Sequence, residues 1–153
     1  MSLAKLTQKP VETIRSSTSV ADAARLMCRH SVGALVITDD TELTPLGVIT
    51  DRDIVWMVAE GLDPRDACVD QFARAPLHTV CVTESLSDVT AKMRIHGIRR
   101  LPIVDTEGRL LGIVTLDDVL ALLGKEMADA AAAIQAEVRH EREIGVPSKG
   151  AKR

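Results

Sequence analysis

Aromatic residues are almost missing from this chain: one Trp, one Phe and no Tyr among 153 residues. A core is therefore expected to rest on Val, Ile, Leu, Ala and Met. The cysteines, Cys28, Cys68 and Cys81, are odd in number, far apart and without a CxxC pair. That argues against a disulfide framework and fits reduced thiols in a cytoplasmic protein. No run of about 18 apolar residues marks a membrane span, and the opening MSLAKLTQKP lacks a signal-peptide core. A net charge of -3 leaves no basic footprint for nucleic acid or an anionic membrane. No Ser/His/Asp or Cys/His arrangement stands in a catalytic context. His78 and His140 have no metal-ligand spacing with His30 or His96, and the two latter suit helix ends, where a cation complements the dipole. The absences point to a soluble non-enzyme with no required cofactor.

What the chain does have is a repeat. Shifted by 66 positions, Leu3 meets Val69, Leu6 meets Phe72 and Pro10 meets Pro76. Thr13 meets Thr79, Ser19 and Asp22 meet Ser85 and Asp88, and Met27, His30 and Asp39 meet Met93, His96 and Asp105. After a one-residue difference in a polar turn the shift becomes 65, and GVITDRDIV at Gly47 meets GIVTLDDVL at Gly112. Such a difference is tolerated where two copies of one fold differ in a loop.

Each copy reads alike. A short lead helix and a brief extended segment (VETI, LHTV) precede a Ser-x-x-Asp helix start, Ser19 to Asp22 and Ser85 to Asp88. In the first copy Val20, Ala23, Ala24 and Met27 share one helical face. Two strands and a closing helix follow. Asp63-Pro64 in the joining segment suggests a further short helix with Pro at its first position. A unit of about 60 residues is marginal alone. The expected architecture is thus α/β (α+β), two pseudo-twofold β-α-β-β-α repeats packed as one module with clefts between them. The expected boundaries are repeat one at 1–61, a linker at 62–68, repeat two at 69–124, a C-terminal helix at 125–144 and a flexible tail at 145–153. In the C-terminal helix Met127, Ala131, Ile134 and Val138 form a stripe that needs a partner, either the module or a second subunit.

Two readings of the doubled phrase stand side by side. Thr50-x-x-Asp53 and Thr115-x-x-Asp118 are capping boxes by pattern, which would serve only their own helices. The same helix starts, facing a cleft at the end of a strand, also suit a phosphorylated ligand, and a fixed carboxylate there suits a ribose diol. The upstream Ser-x-x-Asp pairs, with no glycine-led strand before them, read as caps only.

The layout resembles a tandem pair of cystathionine-β-synthase (CBS) domains, a Bateman module. The resemblance is carried by Gly47 to Asp53, Gly112 to Asp118, His30-Ser-Val-Gly-Ala-Leu and His96-Gly-Ile-Arg-Arg-Leu-Pro102, and it spans about residues 3 to 124. It implies a stand-alone regulatory CBS-pair protein that binds an adenosine-type ligand, AMP, ADP, ATP or S-adenosylmethionine, in clefts between the repeats. Carried over by position, one cleft draws on Thr115, Asp117 and Asp118 with Thr13, Val32 and Gly33 opposite. The other draws on Thr50, Arg52 and Asp53 with Thr79 and Ile98 opposite. Arg99 and Arg100 stand where copy one has Gly33-Ala34, and the family places phosphate-reaching cations there. Alternation along a strand sends Arg99 and Arg100 to different surfaces. Arg52 against its counterpart Asp117 makes the clefts unequal. Trp56, three residues after Asp53, is expected to sense a ligand in the Asp53 cleft. The resemblance also implies a homodimer and an effector protein of unknown identity. The competing reading is a non-sensing protein–protein interaction module with empty clefts.

Overall fold

The computed structural model describes residues 3, 11–41, 43–73 and 76–144, without the side chains of 141–144. The lead helix expected around Leu6, Pro10 itself and the tail at 145–153 lie outside the described residues. The chain divides into two compact units, 1–116 and 117–153.

The first unit holds both copies' sheets. In copy one, β1 (Thr13–Arg15), α1 (Val20–His30), β2 (Ala34–Thr38) and β3 (Pro45–Thr50) lead into α2 (Asp51–Ala59). In copy two, β4 (Val80–Cys81), α3 (Leu86–His96), β5 (Arg100–Val104) and β6 (Leu110–Thr115) follow the same order. Each copy makes a three-stranded sheet, β1-β2-β3 or β4-β5-β6, with the first pair parallel and the second antiparallel. Both sheets break register at the matching place, between Ile37 and Thr38 and between Ile103 and Val104.

The repeat extends to the core. Ile14, Ala23, Met27, Leu35, Ile37 and Ile49 are buried in copy one. Their counterparts Val80, Val89, Met93, Leu101, Ile103 and Val114 are buried in copy two. All are aliphatic or Met, as the shortage of aromatics requires. Interiors of this kind close by interdigitation of branched side chains, so volume changes are felt.

Helix starts follow the capping pattern. Ser19 accepts from the Asp22 amide, and Ser85 with Asp88 forms a full capping box. The hydrogen bond from Ser85 holds the Asp88 carboxyl below the usual carboxylate range. α1 and α3 both end on a left-handed residue, Ser31 and Gly97, the position that terminates many helices.

The joining segment departs from expectation. Asp63-Pro64 starts a turn, not a helix, because the Asp63 carboxylate accepts from the Arg65 amide and guanidinium at 2.7–3.1 Å. Arg65 thereby holds that carboxyl down to about 2. The short 3-10 helix Val69–Phe72 opens the second copy in sequence but packs on the first. Val69 and Ala67 belong to the cluster of Ile14, Val20, Leu35 and Met57, with Phe72 against it. The Val69 amide donates to the Thr18 carbonyl at 2.9 Å, and the Val20 amide donates to that of Ala67 at 2.9 Å. Gly47 admits this segment: a Cβ there would lie 2.7 Å from Ala73 Cα and 2.8 Å from the Phe72 carbonyl oxygen.

The second unit is the body of α4 (Leu116–Ile144), 29 residues in one helix. The closing helix of copy two and the separate C-terminal helix expected after Gly124 are therefore continuous. A helix-interior glycine costs about 1 kcal/mol, and the Ala-rich run that follows favours continuation. Met127, Ile134 and Val138 of the expected stripe are exposed.

Candidate functional site

The first unit contains a hollow of about 590 Å³ at the start of α2. Copy one lines it with Val48, Thr50, Asp51, Arg52 and Val55, and copy two with Gly97, Ile98, Arg99 and Arg100. Small-molecule sites span roughly 300–1,000 Å³, so the hollow is of suitable size. β3 ends at Thr50 and α2 begins at once, so the positive end of the helix lies at its wall, with the amides of its first turn already satisfied within the protein. The Asp51 amide donates to the Gly33 carbonyl at 3.3 Å, which ties the helix start to the entry of β2. Copy two repeats the tie: the Leu116 amide donates to the Arg99 carbonyl at 2.9 Å.

Three guanidinium groups and one carboxylate face this hollow. Among the described residues, neither Arg52, Arg99 nor Arg100 is held in a salt bridge. Asp51 Oδ1 accepts from the Arg52 amide at 2.8 Å. Gly33 gives Asp51 and Arg100 room. A Cβ on it would lie 3.2 Å from Asp51 Oδ2 and 3.5 Å from Arg100 Nη2.

A second hollow of about 220 Å³ is lined by Val11, Glu12, Val32, Gly33, Ala34, Arg100, Ile113 and Thr115. Its carboxylate, Glu12, meets His30 Nδ1 at 2.9 Å. A third, of about 210 Å³, lies between Gly47, Phe72, Pro76, Leu77, His78 and Pro102, with Val48, Ile98 and Arg100 completing its wall.

The residues singled out in the sequence divide accordingly. Thr50, Arg52, Ile98, Arg99 and Arg100 come together around the large hollow, and Val32, Gly33 and Thr115 around the smaller one. Asp53 does not line the large hollow. Its Oδ2 accepts from the Thr50 amide at 2.8 Å and from the Thr50 hydroxyl at 2.6 Å, and the Asp53 amide donates to Thr50 Oγ1 at 3.3 Å. That is a complete capping box. Thr79 is also absent from the wall, and its carbonyl accepts from Lys92 Nζ at 3.0 Å. Thr13 pairs with Val36 in β1, outside both linings. Asp117 and Asp118 stand in the first turn of α4, in the second unit, Asp117 exposed and Asp118 half-buried.

Two expectations are corrected. Arg99 and Arg100 share the wall of the large hollow, because β5 begins only at Arg100 and strict alternation does not govern Arg99. Trp56 is 56% exposed and absent from that wall, while Val55 is part of it. Successive helical residues are turned about 100° apart, so the residue after a wall residue points elsewhere. Sequence reasoning also missed Asp51, whose nearness to Gly33 is visible only once the strand order is known, and Glu12. It missed the stacking of His78 on His96, with ring centroids 3.5 Å apart. Their separation along the chain gives no local signal. Among the described residues, no group of three or more His, Cys, Asp or Glu is placed to hold a metal ion, and no helix is long and apolar enough to cross a membrane.

Two three-stranded βαββ units, each followed directly by a helix, with clefts beside the strand ends, define a CBS domain pair. The CBS domain family model matches residues 3–60 and 69–125, and the chain belongs to that family. It is 33% identical over 121 residues to an uncharacterised protein of Methanopyrus kandleri, covering 78% of this chain and 61% of that protein. It is 40% identical over 98 residues to hypoxic response protein 1 of Mycobacterium tuberculosis, covering 63% of this chain and 67% of the other. The chain thus matches about two thirds or less of the length of these relatives. Among solved structures, it resembles a CBS domain protein from Pyrobaculum aerophilum complexed with AMP, with TM-score 0.71, 26% identity and coverage of 82% of this chain and 99% of that one. It also resembles the CBS domain pair of protein MJ0100, in complex with 5'-methylthioadenosine and S-adenosyl-L-methionine, with TM-score 0.73, 27% identity and coverage of 82% and 98%.

Proposed function

We propose that this chain is a regulatory module that binds an adenosine-type ligand in the large hollow and signals through a change of shape or association. The observation that carries the reading is the convergence of Thr50 and Arg52 from one repeat with Ile98, Arg99 and Arg100 from the other. Apolar atoms of Val48, Val55 and Ile98 offer an aliphatic slot for a base. The three arginines, beside the positive end of α2, suit a phosphate. The complexes of two solved relatives with AMP, and with 5'-methylthioadenosine and S-adenosyl-L-methionine, support the choice of adenosine compounds.

In this reading Asp53 caps α2 and, with its partly exposed carboxylate, accepts from a ribose hydroxyl at the edge of the cleft. Thr115 serves the smaller cleft. The repeats occupy 1–61 and 69–124, the chain works in the cytoplasm without catalysing a reaction, and its output passes to an effector protein. Exposed Val55, Trp56, Val58 and Leu62 on and after α2, with Leu120, Leu123 and Met127 on α4, support association of two copies.

Thermal unfolding with AMP, ADP, ATP and S-adenosylmethionine tests the proposal. A ligand present at about 100 times its dissociation constant stabilises by roughly 2.7 kcal/mol. Absence of any shift at millimolar concentration would replace the sensor with an interaction module whose clefts stay empty.

A further inference from the structure

Arg100 lines both the large hollow and the smaller one, and no other described residue does so. Its Nη2 sits 3.5 Å from the point a Gly33 Cβ would occupy, at the wall of the smaller cleft. The charged side chains of the two clefts are otherwise unlike. The large one has Arg52 and Arg99 besides Asp51. The smaller one has Glu12 alone.

We infer that the two clefts share Arg100 as a common cation, so the chain takes up one phosphorylated ligand at a time, in the large cleft. A guanidinium presents one planar fork, which matches one phosphate in bidentate fashion. Once that fork turns to an anion beside Arg52 and Arg99, the smaller cleft keeps only Glu12 as a charged lining residue. A second phosphate there would face the Glu12 carboxylate with no other cation lining the cleft, and like charges at short range repel strongly where water is partly excluded. By linkage, an anion forced into the smaller cleft would weaken binding in the large one by the same factor. The inference rests on the reading of these clefts as ligand sites and adds how they are coupled and what charge each accepts.

Equilibrium dialysis of the full chain against ADP, and separately against pyrophosphate, tests it in the wild type, Arg100→Gln, Arg100→Lys and Arg52→Gln. The wild type is expected to bind one ADP per chain, and Arg52→Gln to bind one more weakly. Loss of a charge-assisted hydrogen bond is expected to weaken ADP binding by about 10-fold or more in Arg100→Gln. Arg100→Lys should recover part of that loss, which a folding defect at this position would not allow. Two equivalents of ADP in the wild type, or unchanged affinity in Arg100→Gln, would overturn the shared cation while leaving the adenosine site standing. Uptake of one pyrophosphate that depends on Arg100, with no preference for ADP, would do the reverse. Binding of neither compound would overturn both.

Discussion

The hydroxyl of Thr50 and the carboxylate of Asp53 close on each other at 2.6 Å, and the amide of each donates to the other's side chain. In the first copy the phrase therefore starts a helix before it does anything else. Asp53→Ala removes one half of this box. Such a loss costs about 1 kcal/mol, to be measured by urea unfolding without ligand. An unchanged midpoint would mean that α2 is held by its packing alone. The same variant with ADP present separates capping from ribose binding, since only the latter lowers affinity beyond the stability change.

Val55 lines the large hollow and is 68% exposed. A bulky ring is therefore tolerated there without repacking a core. In a Trp56→Phe background, Val55→Trp is expected to give an emission that shifts when ligand enters the cleft, while the native Trp56 responds weakly. A strong response of Trp56 in the wild type, equal to that of the relocated ring, would show that the ligand lies on the other side of α2.

Gly47→Ala places a methyl against backbone, 2.7 Å from Ala73 Cα. Neither β3 nor the segment 72–73 yields as a side-chain tip would. Overpacking of this kind costs about 1–3 kcal/mol. Thermal unfolding should show the loss, and a variant as stable as the wild type would mean that the 3-10 helix lifts away freely.

Glu84 gives the fold a pH-sensitive contact. Burial alone would raise its pKa, but Lys92 Nζ at 2.9 Å and the Cys81 amide at 2.6 Å outweigh this and hold the carboxyl below its ordinary value of 4.5. A depressed folded pKa stabilises the native state above the unfolded value, and the gain is lost as pH falls through the folded one. Wild type and Glu84→Gln should thus differ most near neutrality and converge below the ordinary glutamate range. Stability curves that stay parallel from pH 7 to acid would remove this pair from the pH response.

The sequence made much of the scaffold legible because the signals were local and came twice. The Ser19, Thr50 and Ser85 helix starts, the succession of helices and strands along the chain and the shared core positions all lie in short windows with a matching copy. Two of the three arginines of the candidate site, Arg99 and Arg100, could be named from their displacement of Gly33-Ala34. Their direction could not, because it depends on whether β5 begins before or after Arg99. Likewise Trp56 and Val55 are neighbours in sequence, yet only the packing of α2 decides which of them meets the cleft. The packing of Val69 on the first copy has no local signature either. The break expected at Gly124 failed because one glycine is a weak stop between strong helix formers.

Val69 and Phe72 complete the core of the first copy although they follow it in the chain by several residues. During synthesis the residues of the first sheet are thus made before their cover exists. Translation proceeds at about 5–20 residues per second, so the gap is on the order of a second, in which Ile14, Leu35 and Met57 wait for Val69 to leave the ribosome. A chain that stalls or is cut just after Ala59 would end with an open hydrophobic face and become a substrate for chaperones and proteases. Folding of the first repeat is in this way conditional on the second having begun.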